Sequence, residues 1–240
     1  MRKDGRRNDQ IRPVKVQMGF LEFAEGSCLF EIGKTKVICS ASVEERVPPF
    51  MKGKGSGWIT SEYSLLPRAC QQRVIREASK GKKMGRTHEI QRLIGRALRN
   101  VIDLKSMGER TIWVDCDVIQ ADGGTRCASI TGSFIALCAA LNWMKKKGMV
   151  EELDVRHHVA AVSTGIVGSD ILLDLDYGED SSAEVDMNIV MTGCGELIEI
   201  QGTAEKSPFT TEQMGSMMEH AQKGIEELIN IQKSALEGVI

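Results

Sequence analysis

Six carboxylates, Asp174, Asp176, Glu179, Asp180, Glu184 and Asp186, fall within thirteen residues of the stretch LLDLDYGEDSSAEVDMN, residues 172–188. Like charges at this density repel one another, and a folded chain accommodates them where a cation or a proton-transfer role compensates. They are interleaved with apolar residues, unlike the solid block of a solvated acidic run. The pattern predicts two strands joined by a short polar turn, with Asp174 and Asp176 on one face of the first strand and Asp186 and Asn188 on one face of the second. If the two ends converge, Asp180 and Asp186 have the chemistry to hold Mg²⁺, which takes one or two carboxylates plus water and substrate phosphate. A carboxylate with a raised pKa would equally serve as proton donor to a leaving oxygen. Spacing alone leaves both roles open.

A second constellation carries the opposite charge. In QADGGTR, Gln120 to Arg126, two glycines join a strand to a helix. Backbone amides at a helix start, with the helix dipole behind them, attract anions. Thr125 adds a hydroxyl and Arg126 a fork suited to phosphate oxygens. The alternative is a plain strand–helix turn. Neither GxxxxGK[ST] nor GxGxxG occurs here, which disfavours nucleotide hydrolysis and dinucleotide binding. No GxSxG elbow is present, which disfavours acyl transfer.

The charge is unevenly distributed although the net value is −2. Residues 46–100 hold 13 basic and 3 acidic side chains, whereas residues 101–240 hold 10 basic and 23 acidic. Arg68, Arg73, Arg76, Lys80, Lys82, Lys83 and Arg86 follow one another with few acids between, a pattern suited to a phosphate backbone. Few aromatics accompany them, which favours a sequence-neutral grip over base stacking. Seven cysteines without a CxxC pair fit a reducing compartment, with Cys28, Cys39, Cys116, Cys127, Cys138 and Cys194 expected as buried thiols. The N-terminal residues lack the apolar segment of a signal peptide, and the longest apolar run, FIALCAAL, is too short to span a bilayer. A cytoplasmic protein without membrane association is expected.

The elements that must position these groups are legible in outline. SCLFEIGKTKVICSASVEE predicts a hairpin, and TIWVDCDVIQ a strand with Asp115 and Asp117 on one side. Ile90, Leu93, Ile94, Ala97, Leu98, Val101 and Ile102 recur at helical spacing, predicting a helix capped by Thr87 and running to about Leu104. Arg92, Arg96 and Arg99 follow another face of it. A small-residue helix after Gly124 ends in Lys145–Lys147 and Gly148. VAAVSTGIV, ILLDLDY, VDMNIVMT and LIEIQGT predict four strands, and a helix after Thr210 carries an apolar stripe from Met214 to Leu228. Strands in runs broken by long helices predict an α+β or mixed α/β single domain.

The blocks RKDGRRNDQIRP, ICSASVEERVPPF, GWITSEYSLLPRA, GRTHEIQRLIGRALR, DCDVIQADGGTR, GEDSSAEVDMNIVMTG and EIQGTAE, in this order over the whole chain, closely resemble the bacterial ribonuclease PH family. The resemblance implies one ribonuclease PH-type α+β domain over residues 1–240, of the kind repeated in polynucleotide phosphorylase and the exosome ring. It implies trimming of RNA 3′ ends, above all tRNA precursors and not DNA, by phosphorolysis. Arg86, Gly124, Thr125 and Arg126 would hold inorganic phosphate, the co-substrate. Asp180 and Asp186 would be the catalytic carboxylates and hold Mg²⁺. Arg68, Arg73 and Arg76 would lie in a region of ring assembly and tRNA binding, with Arg92 and Arg99 adding to the RNA-binding set. A homohexamer, a trimer of dimers, would be the working form. A hydrolytic exoribonuclease would not need the phosphate pocket, and a catalytically silent RNA-binding ring subunit would lack Arg126 or Asp186. An archaeal exosome-type subunit would need a partner chain to assemble.

Overall fold

The computed structural model describes residues 2–81, 84–152 and 154–239; Lys82 and Lys83 of the basic stretch, and the side chain of Lys80, lie outside the described residues. Two sheets flank a central helix. The first sheet contains β1 (Val14–Met18), β2 (Gly26–Ile32), β3 (Thr35–Glu44), β4 (Trp58–Leu65) and β5 (Thr111–Gln120), in the order β1-β2-β3-β5-β4. All its pairs are antiparallel except β4 with β5. The second, antiparallel sheet contains β6 (Val159–Val167), β7 (Asp170–Leu173), β8 (Val185–Thr192) and β9 (Leu197–Ala204), in the order β7-β6-β8-β9. The α-helices among the described residues are α1 (Gly85–Val101), α2 (Thr125–Lys146), α3 (Tyr177–Ser182) and α4 (Thr211–Ala235).

Helix α2 lies against β2 and β3 on one side and β6 on another. Both sheets need an apolar surface to cover, so α2 carries small and apolar residues all round in place of a single stripe. Its length and apolarity would suffice to cross a bilayer, but it is buried as a core helix. The approach is close at Gly26, where a Cβ would fall 2.1 Å from the Ala136 carbonyl oxygen. Helix α1 covers β4, and α4 covers β6 and β7 with Met217, Ala221, Ile225 and Leu228. One continuous apolar cluster runs from Ile11 to Leu236.

The hairpin, the β5 strand, the small-residue helix and three of the four later strands lie where the sequence patterns place them, while ILLDLDY is a strand only to Leu173. The acidic segment keeps the expected second strand, β8, where Asp186 and Asn188 share a face, but β7 ends at Leu173 and a helix replaces the short turn. β7 and β8 both pair with β6 and not with each other, and α3 lies between them. The cause is a capping box: Asp176 Oδ1 accepts from the Glu179 amide at 2.8 Å, and Glu179 Oε2 accepts from the Asp176 amide at 3.0 Å. Asp174 is not on a strand face either; it lies beyond β7 with φ +52° and is buried. Helix α1 begins at Gly85 and ends at Val101, two residues before Thr87 and three before Leu104, and its N-cap, Met84, makes no side-chain capping bond. Cys194 is exposed, because it lies in the turn between β8 and β9 with a glycine on each side. β1 and β4 are strands that hydrophobic runs did not single out: β1 is a half-exposed edge and β4 alternates apolar with polar residues.

The contact at Gly26 is a packing constraint open to test. Gly26→Ala is expected to destabilise the protein by more than about 2 kcal/mol, since neither the helix backbone nor the strand can yield cheaply. Urea denaturation would measure this, and an unchanged midpoint would contradict the packing described.

Candidate active site

The turn that opens α2 is shaped by its neighbours. After β5 the chain passes through Gly123 (φ +77°) and Gly124 (φ +66°), a left-handed pair that side chains would strain. A Cβ on Gly123 would also lie 2.5 Å from the Leu175 carbonyl oxygen, so glycine lets this turn abut the start of α3. Gly124 is the N-cap of α2 and offers no side-chain cap, so the first amides of the helix point outward without a side-chain acceptor. Thr125 Oγ1 lies 2.9 Å from the hydroxyl of Tyr63 on β4. Burial pushes the Tyr63 phenol up to about 12, so it stays protonated and holds the Thr125 hydroxyl in place. Arg126 is largely shielded, donating to Gln201 Oε1 on β9 at 2.8 Å and pairing with Glu89 on α1 at 3.5 Å. Arg86, in the first turn of α1, is exposed.

The two carboxylates of the expected site approach this turn from the second sheet. Asp186, half-buried on β8, has its carboxyl pushed up to about 6, first by burial and then by Asp180. Arg126, Asn188 and Arg86 act in the opposite direction. Asp180, on α3, keeps an exposed edge, but the protein around it still raises its carboxyl, against the pull of Arg86 and Arg126. Both carboxylates therefore feel each other or the same two guanidinium groups, which puts Arg86, Arg126, Asp180 and Asp186 in one electrostatic neighbourhood. Asn188 Nδ2 donates to Asp186 Oδ2 at 3.4 Å, and Cys127 Sγ contacts Asn188 Oδ1 at 3.2 Å.

Mutual repulsion in a half-buried carboxylate pair is what a divalent cation relieves, and two carboxylates suit Mg²⁺, which retains water and takes up phosphate oxygens. The described residues contain no group of three or more His, Cys, Asp or Glu able to hold a metal ion. The pair thus fits Mg²⁺ shared with substrate better than a site built wholly of protein ligands.

The other expected residues divide. Arg68, Arg73 and Arg76 lie exposed on the segment between β4 and α1. Arg76 and Arg86 line a cleft of about 750 Å³ together with Asp115 and Asp117. Arg92 is exposed and lines a shallower groove of about 350 Å³ with His88 and Arg96. Arg99 is engaged within the fold: it donates to the Ile59 carbonyl at 2.8 Å and lies 4.4 Å above the Trp58 ring.

Sequence reasoning left several groups unassigned. Tyr63 and Gln201 orient site residues, yet nothing in strand periodicity marks them, whereas Asn188 shares the face of Asp186 as expected. Asp174 and Glu179, which patterning assigns to a strand face and a turn, bind arginines of the N-terminal segment. Arg2 pairs with Glu179 at 2.5 Å, and Arg12 and Arg6 pair with Asp174 at 2.7 and 3.4 Å. Three arginines buried to 7%, 7% and 3% exposure are the sign of a structural role that composition alone conceals.

Residues 10–141 match the 3′ exoribonuclease family, domain 1, and residues 157–224 match domain 2 of the same family. The chain is 56% identical over 241 residues to ribonuclease PH of Bacillus pumilus, covering all of both chains. It is 57% identical over 236 residues to ribonuclease PH of Moorella thermoacetica, covering 98% of this chain and 94% of that one. Among solved structures, the Archaeoglobus fulgidus exosome with RNA bound to the active site superposes with a TM-score of 0.78 at 22% identity, over 95% of this chain and 91% of that chain. An archaeal exosome core gives 0.74 at 20% identity, over 98% and 90%. The chain belongs to the ribonuclease PH family of 3′ exoribonucleases.

The raised Asp186 carboxyl has a consequence for the metal-free protein. Its folded pKa of about 6 exceeds the ordinary 3.8, so its contribution to stability is full below about pH 4 and is lost as pH rises through about 6. In chelator, the melting temperature of the wild type is expected to fall relative to that of Asp186→Asn between these pH values. Parallel melting curves for the two proteins would contradict the assignment.

Proposed function

We propose that this chain shortens RNA from the 3′ end, tRNA precursors above all, with inorganic phosphate as the attacking group. It is a phosphorolytic 3′-to-5′ exoribonuclease, a nucleotidyltransferase. The observation that carries the reading is the shared neighbourhood of Arg86 and Arg126 with Asp180 and Asp186. Phosphate held at the start of α2 would sit beside the carboxylates that serve the scissile bond.

The chemistry follows from charge. Phosphate and a phosphodiester are both anions, so their approach requires cations fixed in advance. In this reading the first amides of α2, the Thr125 hydroxyl and the Arg86 and Arg126 guanidinium groups bind and orient the phosphate. A new P–O bond forms to the terminal phosphorus as its bond to the preceding 3′ oxygen breaks. The products are a nucleoside diphosphate and RNA one residue shorter. The proton of the attacking hydrogen phosphate ends on the leaving 3′ oxygen. Mg²⁺, held by Asp180 and Asp186, would stabilise charge on the reacting phosphates. A hydrolytic enzyme would have no use for the phosphate turn, and a silent subunit would lack Arg126 or Asp186.

The working form in this proposal is a cytoplasmic homohexamer, a trimer of dimers, of chains that each act as one domain. The exposed Phe23, Phe50 and Ile75 support subunit contacts, the free thiols support a reducing compartment, and the continuous core supports a single unit. Arg68, Arg73, Arg76 and Arg92 would hold RNA; Arg99, committed to Trp58 and Ile59, would serve RNA only by leaving them.

RNA incubated with and without inorganic phosphate tests the proposal. Nucleoside diphosphates should appear only when phosphate is present; monophosphates released without it would overturn phosphorolysis. Arg126→Ala is expected to slow turnover by about 100-fold or more while RNA binding persists. Loss of RNA binding instead would make Arg126 an RNA anchor.

A further inference from the structure

The two halves of the site come from different sheets, and one side chain touches the supports of both. Arg12 precedes β1 and is 3% exposed. Its backbone amide and Nε donate to Asp174 Oδ2, each at 2.8 Å, and its Nη2 donates to Asp174 Oδ1 at 2.7 Å. Its Nη1 donates to the Asp122 carbonyl at 2.5 Å, and Nη2 also reaches the Gly123 carbonyl at 3.5 Å. One guanidinium therefore grips the loop that leads into α3 and the turn that leads into α2.

Thr35 grips the same turn from β3. Its buried hydroxyl donates to the Gly123 carbonyl at 2.7 Å and accepts from the Asp122 amide at 2.9 Å. On the other side, Arg2 donates to the carbonyls of Leu173 and Asp174 at 2.7 and 2.9 Å while pairing with Glu179, the residue before Asp180. Asp174 takes a left-handed backbone conformation that costs a non-glycine residue energy, and its three bonds from Arg12 hold it there.

We propose that Arg12 and Thr35 are positioning residues for phosphate: they clamp the Asp122–Gly123 carbonyls and so aim the Thr125 and Arg126 amides, while Arg12, through Asp174, keeps that turn in register with the α3 carboxylate. The inference rests on the phosphorolytic reading above. Neither residue touches substrate; each acts through the backbone of the turn. A lysine at position 12 would retain the backbone bond and one side-chain contact to Asp174 but has no planar fork with which to span the carboxylate and both carbonyls. A valine at position 35 would keep the shape and remove both turn contacts.

The test is steady-state phosphorolysis with inorganic phosphate varied at saturating RNA, on variants shown by melting to be folded at the assay temperature. Arg12→Lys and Thr35→Val are each expected to raise KM for phosphate about ten-fold, with Thr35→Ser restoring it to within about two-fold. Glu179→Gln, which loosens only the α3 side, is expected to lower kcat and leave that KM unchanged. If Arg12→Lys does not fold, the Thr35 pair decides the matter. A wild-type rate that saturates with phosphate, combined with an unmoved phosphate KM in folded Thr35→Val, would overturn the clamp and leave phosphorolysis standing. A wild-type rate indifferent to phosphate would overturn both.

Discussion

A buried ion pair between Arg12 and Asp174 joins the entry of the first sheet to the edge of the second, and the geometry of the site depends on it. Burial alone would disfavour the charge on Arg12, but the hydrogen bonds and charge of Asp174 more than offset this and raise its pKa. Such pairs contribute little net stability compared with apolar packing, yet breaking one leaves a buried charge and costs about 3–5 kcal/mol. What the pair specifies is position. It fixes the Gly123–Gly124 turn relative to the 174–180 segment, and the absence of a side chain on Gly123 lets the two backbones meet.

The chemistry is a problem of charge placement. Acidic groups gathered around Asp186 would repel RNA, and a cluster of arginines alone would bind it without turning it over. Arg126 acts electrostatically on Asp186 while Gln201 and Glu89 hold the arginine side chain, and Asn188 holds the carboxylate. Preorganisation of this kind lowers the reorganisation needed when two anions react. The central helix makes it possible: buried against both sheets, α2 is fixed in position, and its first turn inherits that rigidity.

Much of this was legible in the sequence, for reasons that can be named. Long periodic elements such as α1 and the β2–β3 hairpin announce themselves through apolar spacing, and the Gly-Gly-Thr-Arg turn through its chemistry. The acidic segment itself pointed to Asp180 and Asp186, whereas the phosphate role of Arg86 came only with the family resemblance. Alternation in the acidic segment masks a four-residue capping box, Asp176 to Glu179, that makes α3 in place of a short turn. The buried role of Arg2, Arg6 and Arg12 was not legible at all. Composition treats arginine as a surface residue, and their partners, Asp174 and Glu179, lie more than 160 residues away in the chain.

The central claim is that the phosphate turn and the carboxylate pair form one site. Relaxation of the ³¹P signal of inorganic phosphate, measured with Mn²⁺ in place of Mg²⁺, tests it most directly. The account predicts strong enhancement in the wild type that is lost in Asp186→Asn, through loss of the ion, and in Arg126→Ala, through loss of the phosphate. Phosphate that binds the wild type but relaxes no faster with Mn²⁺ than without it would contradict a single site.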